Sequence, residues 1–223
     1  MRKWLWWGGA GVAIALIFWS TPLALRRMSI FRVRRIEVTG ARYLTASMVG
    51  RAAKLGPKAN LFDSTEPIRK RVAAMPGVAR VEVHRRIPGA LVFEIEEFEP
   101  VAMTMSGGKL SLVDRRGRIL PYDPTRSPED LPIAEPDSAV TGLIDRVNDT
   151  DPALSAEVLS ASRTGSTITL ETAKHRFLFR VGANTKDIQG AAAVATELAR
   201  RQMAVAEIDA RFEGRVLVRG RGA

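Results

Sequence analysis

The chain has 223 residues and no cysteine, which excludes structural disulfides and thiolate metal sites. Its net charge is +10 and its pI is near 10.7, but the 34 basic residues are spread along the chain among 24 acidic ones. Only 6% of the residues are aromatic, so the stacking platform that accompanies a nucleic-acid groove is not expected. Composition therefore argues against a nucleic-acid-binding protein and leaves room for one large or two small domains.

The first predicted element is a membrane-spanning helix over residues 4–25. This stretch contains no charged side chain and, at ~1.5 Å rise per residue, covers the ~30 Å of a bilayer's hydrocarbon core. Tryptophans near its two ends suit the membrane interface. A cleaved signal peptide is the alternative, but the apolar run is longer than usual and no small-residue cleavage site follows it. We expect a single-pass anchor after a short N-terminus, residues 1–3.

A basic juxtamembrane segment, residues 26–32, follows the predicted anchor. Arg26, Arg27 and Arg32 belong to the densest basic cluster of the chain and are expected to contact anionic lipid headgroups. Counted by the positive-inside rule, these arginines would place the large C-terminal part in the cytoplasm. Orientation therefore requires evidence other than charge.

Residues 33–99 are predicted to form one compact unit with the order β-α-α-β-β. The spacing of the apolar residues changes from the alternation of a strand to the spacing of a helix and back again, with Gly and Pro where it changes. The predicted elements are a strand over Val33–Val38, a helix from its N-cap Thr45 to Lys54, a helix capped by Ser64 with Ile68, Val72 and Met75 buried, and a hairpin of Val78–Arg86 with Leu91–Ile95.

Residues 100–220 are predicted to form a second, β-rich unit with one long helix near its end, which makes the fold class α+β. Residues 121–136 contain five prolines and little periodicity, and are predicted to be a loop or an extended segment. The predicted strands are Val101–Met105, Lys109–Asp114, Ile119–Leu120, Glu157–Ala161, Thr167–Glu171, Arg176–Val181, Val205–Asp209 and Arg215–Arg219, and the predicted helices are Ser138–Asn148 and Asp187–Gln202.

The chain resembles the FtsQ/DivIB family of bacterial cell-division proteins from its anchor to its C-terminus. The resemblance is carried by the order and spacing of several short motifs rather than by any one of them. They are Ile36-Glu37-Val38-Thr39-Gly40, Asn60-Leu61-Phe62, Met75-Pro76-Gly77-Val78, the run from Val81 to Pro88, Glu96 to Ala102, Leu112 to Gly117, Asp130 to Ile133, Ile208 to Phe212, and Val216-Leu217-Val218.

The resemblance implies that residues 33–99 are a POTRA domain and residues 100–220 an FtsQ-type β domain. It implies a non-enzymatic, single-pass scaffold in the cytoplasmic membrane at the division septum, with the N-terminus in the cytoplasm and both domains outside. The implied partners are FtsB and FtsL, with other divisome proteins possible, and no cofactor or small-molecule substrate. The helix Ser138–Asn148 and the segment to Ser162 match the family loosely, and the tail of some members is missing.

The closing strand is the candidate binding site that the resemblance implies, since FtsQ proteins bind FtsB by adding a strand there. The residues expected to take part are Arg211, Phe212, Arg215, Val216, Leu217 and Val218. The alternative is an edge strand protected from pairing by its arginines. Phe212 could instead be a core residue, and Arg211 could pair with Asp209.

The remaining polar residues do not predict a catalytic or metal site. His84 and His175 are the only histidines and are expected at the surface. Glu94 and Glu96 lie on one strand face, where pairing across the hairpin, with Arg80 for example, is commoner than acid–base chemistry. A second functional class remains open, in which the POTRA unit of a membrane-tethered chaperone holds translocating chains.

Overall fold

The computed structural model describes residues 29–127, 130–203 and 205–220. These residues form two compact units, one ending at Glu97 and the other beginning at Phe98. The helices within the described ranges are all too short or too polar to cross a membrane. The predicted anchor, residues 4–25, and the predicted headgroup ligands Arg26 and Arg27 lie outside those ranges.

The first unit has the predicted order β-α-α-β-β. Its strands make a three-stranded sheet in the order β1-β3-β2, with β1 parallel and β2 antiparallel to the central β3. Its elements are a 3-10 turn at Ser29–Phe31, β1 (Arg35–Thr39), α1 (Ala46–Ala53), α2 (Glu66–Ala73), β2 (Val78–Arg86) and β3 (Ala90–Glu97).

The predicted hairpin alternation is confirmed in β2 and β3. Val81 lies opposite Ile95, and Val83 lies opposite Phe93. Phe93 and Ile95 are buried, as are Val49 of α1 and Val72 of α2. Because successive strand residues point to opposite faces, one face of the sheet meets the helices and the other carries the charged residues.

The helix starts in the first unit agree with the prediction at α1 but not at α2. The Thr45 side chain accepts a hydrogen bond from the Met48 N–H, as expected for an N-cap. Ser64 was predicted to cap α2, but the N-cap is Thr65, which makes no side-chain cap hydrogen bond. Met75 was predicted on the buried stripe of α2, but the helix ends at Ala73, since a residue before a proline disfavours helical geometry.

The second unit is a nine-stranded sheet in the order β12-β11-β10-β9-β8-β7-β4-β5-β6. Its strands are β4 (Pro100–Ser106), β5 (Lys109–Asp114), β6 (Ile119–Leu120), β7 (Ile133–Ala134), β8 (Val158–Thr164), β9 (Thr167–Thr172), β10 (Arg176–Arg180), β11 (Val205–Phe212) and β12 (Arg215–Gly220). Its α-helices are α3 (Ser138–Thr150), α4 (Pro152–Glu157) and α5 (Thr185–Arg200).

Two elements of the second unit differ from the prediction. The stretch 121–136, predicted as a loop or an extended segment without a strand, contains β7, which pairs in parallel with both β4 and β8 and so joins the two halves of the sheet. The strand predicted from Glu157 begins at Val158 instead, because Asp151 caps the short helix α4 by accepting a hydrogen bond from the Leu154 N–H.

The core of the second unit lies between one face of the sheet and helices α3 and α5. Phe177, Phe179 and Ile208 come from the strands at the β12 side, and Leu143 and Ile188 come from the two helices. All five are almost completely buried. This packing fixes α5 against the last strands and so positions the end of the sheet.

The Val-Asp-x-x-Gly motif at residues 113–117 makes a tight turn. The Asp114 carboxylate accepts hydrogen bonds from the N–H groups of Arg116 and Arg118 and from the Arg118 guanidinium. Burial raises the pKa of Asp114, but these hydrogen bonds outweigh it and leave the pKa below its ordinary value. The turn closes at Gly117, which has a φ of +74°.

Candidate partner-binding strand

β12 is the terminal strand of the nine-stranded sheet. It pairs antiparallel with β11, with Val218 opposite Ile208 and Leu217 opposite Asp209. In the described parts of the chain nothing pairs with its other side. Since strand neighbours alternate in the direction of their backbone groups, part of the N–H and C=O groups of β12 are available to a further strand.

Helix α5 supports β12 from one face of the sheet. Its start is fixed by a capping box, in which Asn184 accepts from the Asp187 N–H and Asp187 accepts from the Asn184 N–H. A Cβ atom on Gly190 would lie 3.5 Å from Val216 Cγ2, so the helix comes close to β12 at a residue without a side chain. Val216 is half-buried there and packs against the core.

The other predicted contact residues on the terminal hairpin are exposed. Phe212 is 50% exposed, which excludes the alternative that it is a core residue. Leu217 and Val218 are 46% and 41% exposed. Large apolar side chains beside an unpaired strand edge are the combination that a partner strand can cover.

The arginines of the terminal hairpin differ in their electrostatic environment. Arg211 donates from Nε to Asp209 Oδ1 over 2.8 Å and from Nη2 to Asp209 Oδ2 over 2.6 Å. Arg219 pairs with Glu207 over 3.1 Å. The part of the chain that the structure describes gives Arg215 no ion-pair partner. Arg215 is therefore the cation of this hairpin whose charge remains available.

Asp209 is the buried acid that organises this surface. Its side chain is inaccessible to solvent, and hydrogen bonding from Arg211 lowers the pKa of its carboxyl below the ordinary value. The spacing Asp-x-Arg makes this pair possible, because residues two apart on a strand lie on the same face and the guanidinium can reach back to the carboxylate.

Arg32, the predicted headgroup ligand within the described ranges, is exposed in the first unit. It forms an isolated β-bridge with Asn60, so its backbone is fixed to the domain.

Strand register brings His84 together with two carboxylates, a grouping that sequence reasoning missed. Glu94 lies directly opposite Glu82, and the His84 Nε2 is 3.4 Å from Glu94 and 3.7 Å from Glu82. Alternation along β2 was the available signal. Their ligand atoms lie within 4.8 Å of one another, but all three are exposed and Arg80 already binds Glu82. We assign no metal to this group.

His175 was expected at the surface, but it is half-buried. Its Nδ1 donates to the Val205 carbonyl oxygen over 2.9 Å, and its ring meets that of Phe177 edge-on. The parallel strands β10 and β11 begin at this contact, so the His175 ring has a structural role in joining their first residues.

Comparison with known proteins identifies the first unit. Residues 31–98 match the family model described as POTRA domain, FtsQ-type. No match was found among curated proteins.

Proposed function

We propose, from the premise that an FtsQ-type POTRA domain at residues 31–98 supports an FtsQ/DivIB family protein, that this chain is a non-enzymatic divisome scaffold. It is held in the cytoplasmic membrane by the predicted helix over residues 4–25. Both domains lie on the outer side of the cytoplasmic membrane, and the N-terminus lies in the cytoplasm. The protein works at the septum by linking early and late division proteins.

FtsB is the proposed partner of the terminal strand, with FtsL joining through the same complex. The observation that supports this site is the position of β12 at the end of the sheet. A strand of FtsB would satisfy the outward-facing N–H and C=O groups of β12. Its side chains would cover Phe212, Leu217 and Val218, and an acidic residue would reach Arg215.

Depletion of the protein in its own organism tests the cellular role. Filamentous or otherwise division-defective cells, with a fluorescent fusion gathered at mid-cell, are expected. Normal division with uniform membrane fluorescence would contradict the proposal.

Co-purification from detergent tests the partner and the strand together. Full-length protein should retain FtsB, and Phe212→Asp or Leu217→Asp should abolish retention while the circular dichroism spectrum stays unchanged. Leu159→Asp is the matched control, because Leu159 is a 59% exposed apolar residue on β8, away from the terminal strand. Equal loss in all three variants, or retention of diverse unfolded outer-membrane chains instead of FtsB, would favour the chaperone alternative.

A further inference from the structure

One end of the first unit holds the chain where it enters the domain. The Val33 N–H donates to the Ala59 carbonyl, and the Leu61 N–H donates to the Phe31 carbonyl, both over 2.9 Å. The rings of Phe31 and Phe62 meet edge-on with centroids 5.0 Å apart. Two backbone hydrogen bonds and an aromatic contact therefore fix residues 31–33 to the body of the domain.

The turn between β2 and β3 lies against the same segment. The Gly89 carbonyl accepts hydrogen bonds from the N–H groups of Arg34 and Arg35, over 2.8 and 3.2 Å. A Cβ atom on Gly89 would lie 2.8 Å from the Arg32 carbonyl oxygen, so the backbones are in close contact. The Arg34 guanidinium also reaches the Ser29 carbonyl. The entry segment and the hairpin turn thus form one surface.

Two isoleucines on this surface face solvent. Ile87, in the hairpin turn, is 67% exposed, the highest value among the large apolar residues that the structure describes. Ile30, in the 3-10 turn, is 50% exposed. Single exposed apolar residues are ordinary, but these two lie on the entry segment and the hairpin turn that contact each other, and together with exposed Pro88 we call them the apolar tip.

Basic side chains surround this apolar tip. Two acids lie nearby: Glu37 binds Arg86 over 2.5 Å and Arg35 over 3.8 Å, and Asp63 accepts a hydrogen bond from the Asn60 N–H. Five cations against the carboxylates of Glu37 and Asp63 leave the surface with a net positive charge. The exposed basic residues at this end are Arg32, Arg34, Arg35, Lys58 and Arg86.

An apolar tip ringed by cations is the composition of a surface that enters the interface of an anionic bilayer. The sequence also limits where this tip can lie. The predicted anchor ends at Leu25 and the described fold begins at Ser29, so the connection reaches at most about 14 Å even when fully extended. That distance keeps the entry end of the domain beside the headgroups.

We propose that this end of the POTRA domain rests on an anionic lipid surface. Ile87 and Ile30 enter the boundary between headgroups and acyl chains, and the five basic side chains contact lipid phosphates. The proposal does not depend on the terminal strand or on FtsB. It extends the lipid contact expected for Arg32 to a folded surface of the domain.

Site-directed spin labelling of the full chain in nanodiscs tests the proposal. Because the chain has no cysteine, Ile87→Cys introduces a single attachment site. Ala79→Cys is the matched control, since Ala79 is exposed near the other end of β2, the strand that leads into this turn, about 25 Å from position 87.

In nanodiscs containing phosphatidylglycerol, the label at 87 should collide more with oxygen than with a water-soluble nickel complex, and the label at 79 should do the reverse. Adding Arg32→Glu and Lys58→Glu should return position 87 to the aqueous pattern, since both changes remove exposed cations and leave the buried core of the domain intact. Equal aqueous accessibility at 79 and 87 would overturn the proposal. Accessibility at 87 that falls only when a soluble protein is added would also overturn it, in favour of an acidic protein partner.

Discussion

Arg211 binds Asp209 through two parallel hydrogen bonds, of 2.8 and 2.6 Å, over a carboxylate that solvent does not reach. Arg211 was predicted as a partner contact, with pairing to Asp209 as the alternative. Its bidentate geometry means that the guanidinium already neutralises a buried charge. We therefore expect Arg211 to act on the fold of the terminal hairpin and Arg215 to act on the partner.

Alanine substitution should separate these two arginines. Arg211→Ala leaves the Asp209 carboxylate buried without its main partner and should clearly lower the free energy of unfolding. Arg215→Ala removes an exposed cation that has no ion-pair partner among the described residues, and should change stability by less than about 0.5 kcal/mol. Chemical denaturation followed by circular dichroism measures both. Equal destabilisation would mean that Arg215 also has a structural partner.

The lowered pKa of Asp209 predicts how acid acts on the second unit. Because the folded state holds the carboxylate ionised more strongly than the unfolded state does, this contribution is present above the ordinary aspartate pKa of about 4. It is lost as the pH falls below that value through the folded pKa. Asp209→Asn should therefore be less stable at pH 7 and show a smaller further loss between pH 4 and pH 2, measured by thermal melts at each pH. An unchanged slope would assign the acid sensitivity to other groups, such as Asp114.

Glu97 is expected to hold the loop that precedes α1. Its carboxylate accepts hydrogen bonds from the backbone N–H groups of Arg42, Tyr43 and Leu44, at 2.6 to 3.1 Å. Glu97→Gln keeps the size of the side chain but replaces one acceptor oxygen with a donor that faces these N–H groups. We expect a loss of about 2 kcal/mol from the first unit.

Hydrogen exchange tests this role of Glu97. In Glu97→Gln the amides of residues 42–44 should exchange faster. Glu99→Gln is the control, since Glu99 lies two residues along the chain and makes no hydrogen bond to this loop in the residues described. Faster exchange in both variants, or in neither, would remove the proposed role.

Gly117 offers a test of the turn at the start of the second unit. Both Gly117 and Gly107 have a positive φ, at +74° and +57°. A Cβ on Gly117 would lie 2.9 Å from the Pro136 carbonyl oxygen, whereas a Cβ on Gly107 would meet nothing within 4 Å. Gly117→Ala should therefore lower the melting temperature more than Gly107→Ala, which carries the backbone strain alone. Equal shifts would show that the contact with Pro136 relaxes freely.

Several elements of the fold could be predicted because the local sequence pattern, such as alternation or a helix cap, agreed with the packing in the folded domain. The hairpin of β2 and β3 has strict alternation, and α1 has a threonine N-cap before its apolar stripe. The strand β7 could not be predicted, because two residues within a proline-rich stretch have no periodicity and pair only through the tertiary sheet. Long-range register likewise brought Glu82, His84 and Glu94 together without a sequence motif.

The candidate site was predictable to a different extent for each residue. Position near the chain end and the resemblance to FtsQ/DivIB drew attention to the terminal hairpin. The sequence alone did not decide whether Phe212 is a core residue or whether Arg211 pairs with Asp209, because burial and ion pairing depend on the residues that pack around them. The structure gives Phe212 an exposed position and Arg211 an intramolecular partner.

Hydrogen–deuterium exchange with and without FtsB tests strand addition at β12 most directly. If FtsB adds a strand, the outward-facing amides within residues 215–220 should become protected, since a partner carbonyl would accept each of them. The amides of β6, at the opposite end of the same sheet, should be unchanged. FtsB binding that leaves the exchange of residues 215–220 unaltered would contradict the account and move the binding site elsewhere.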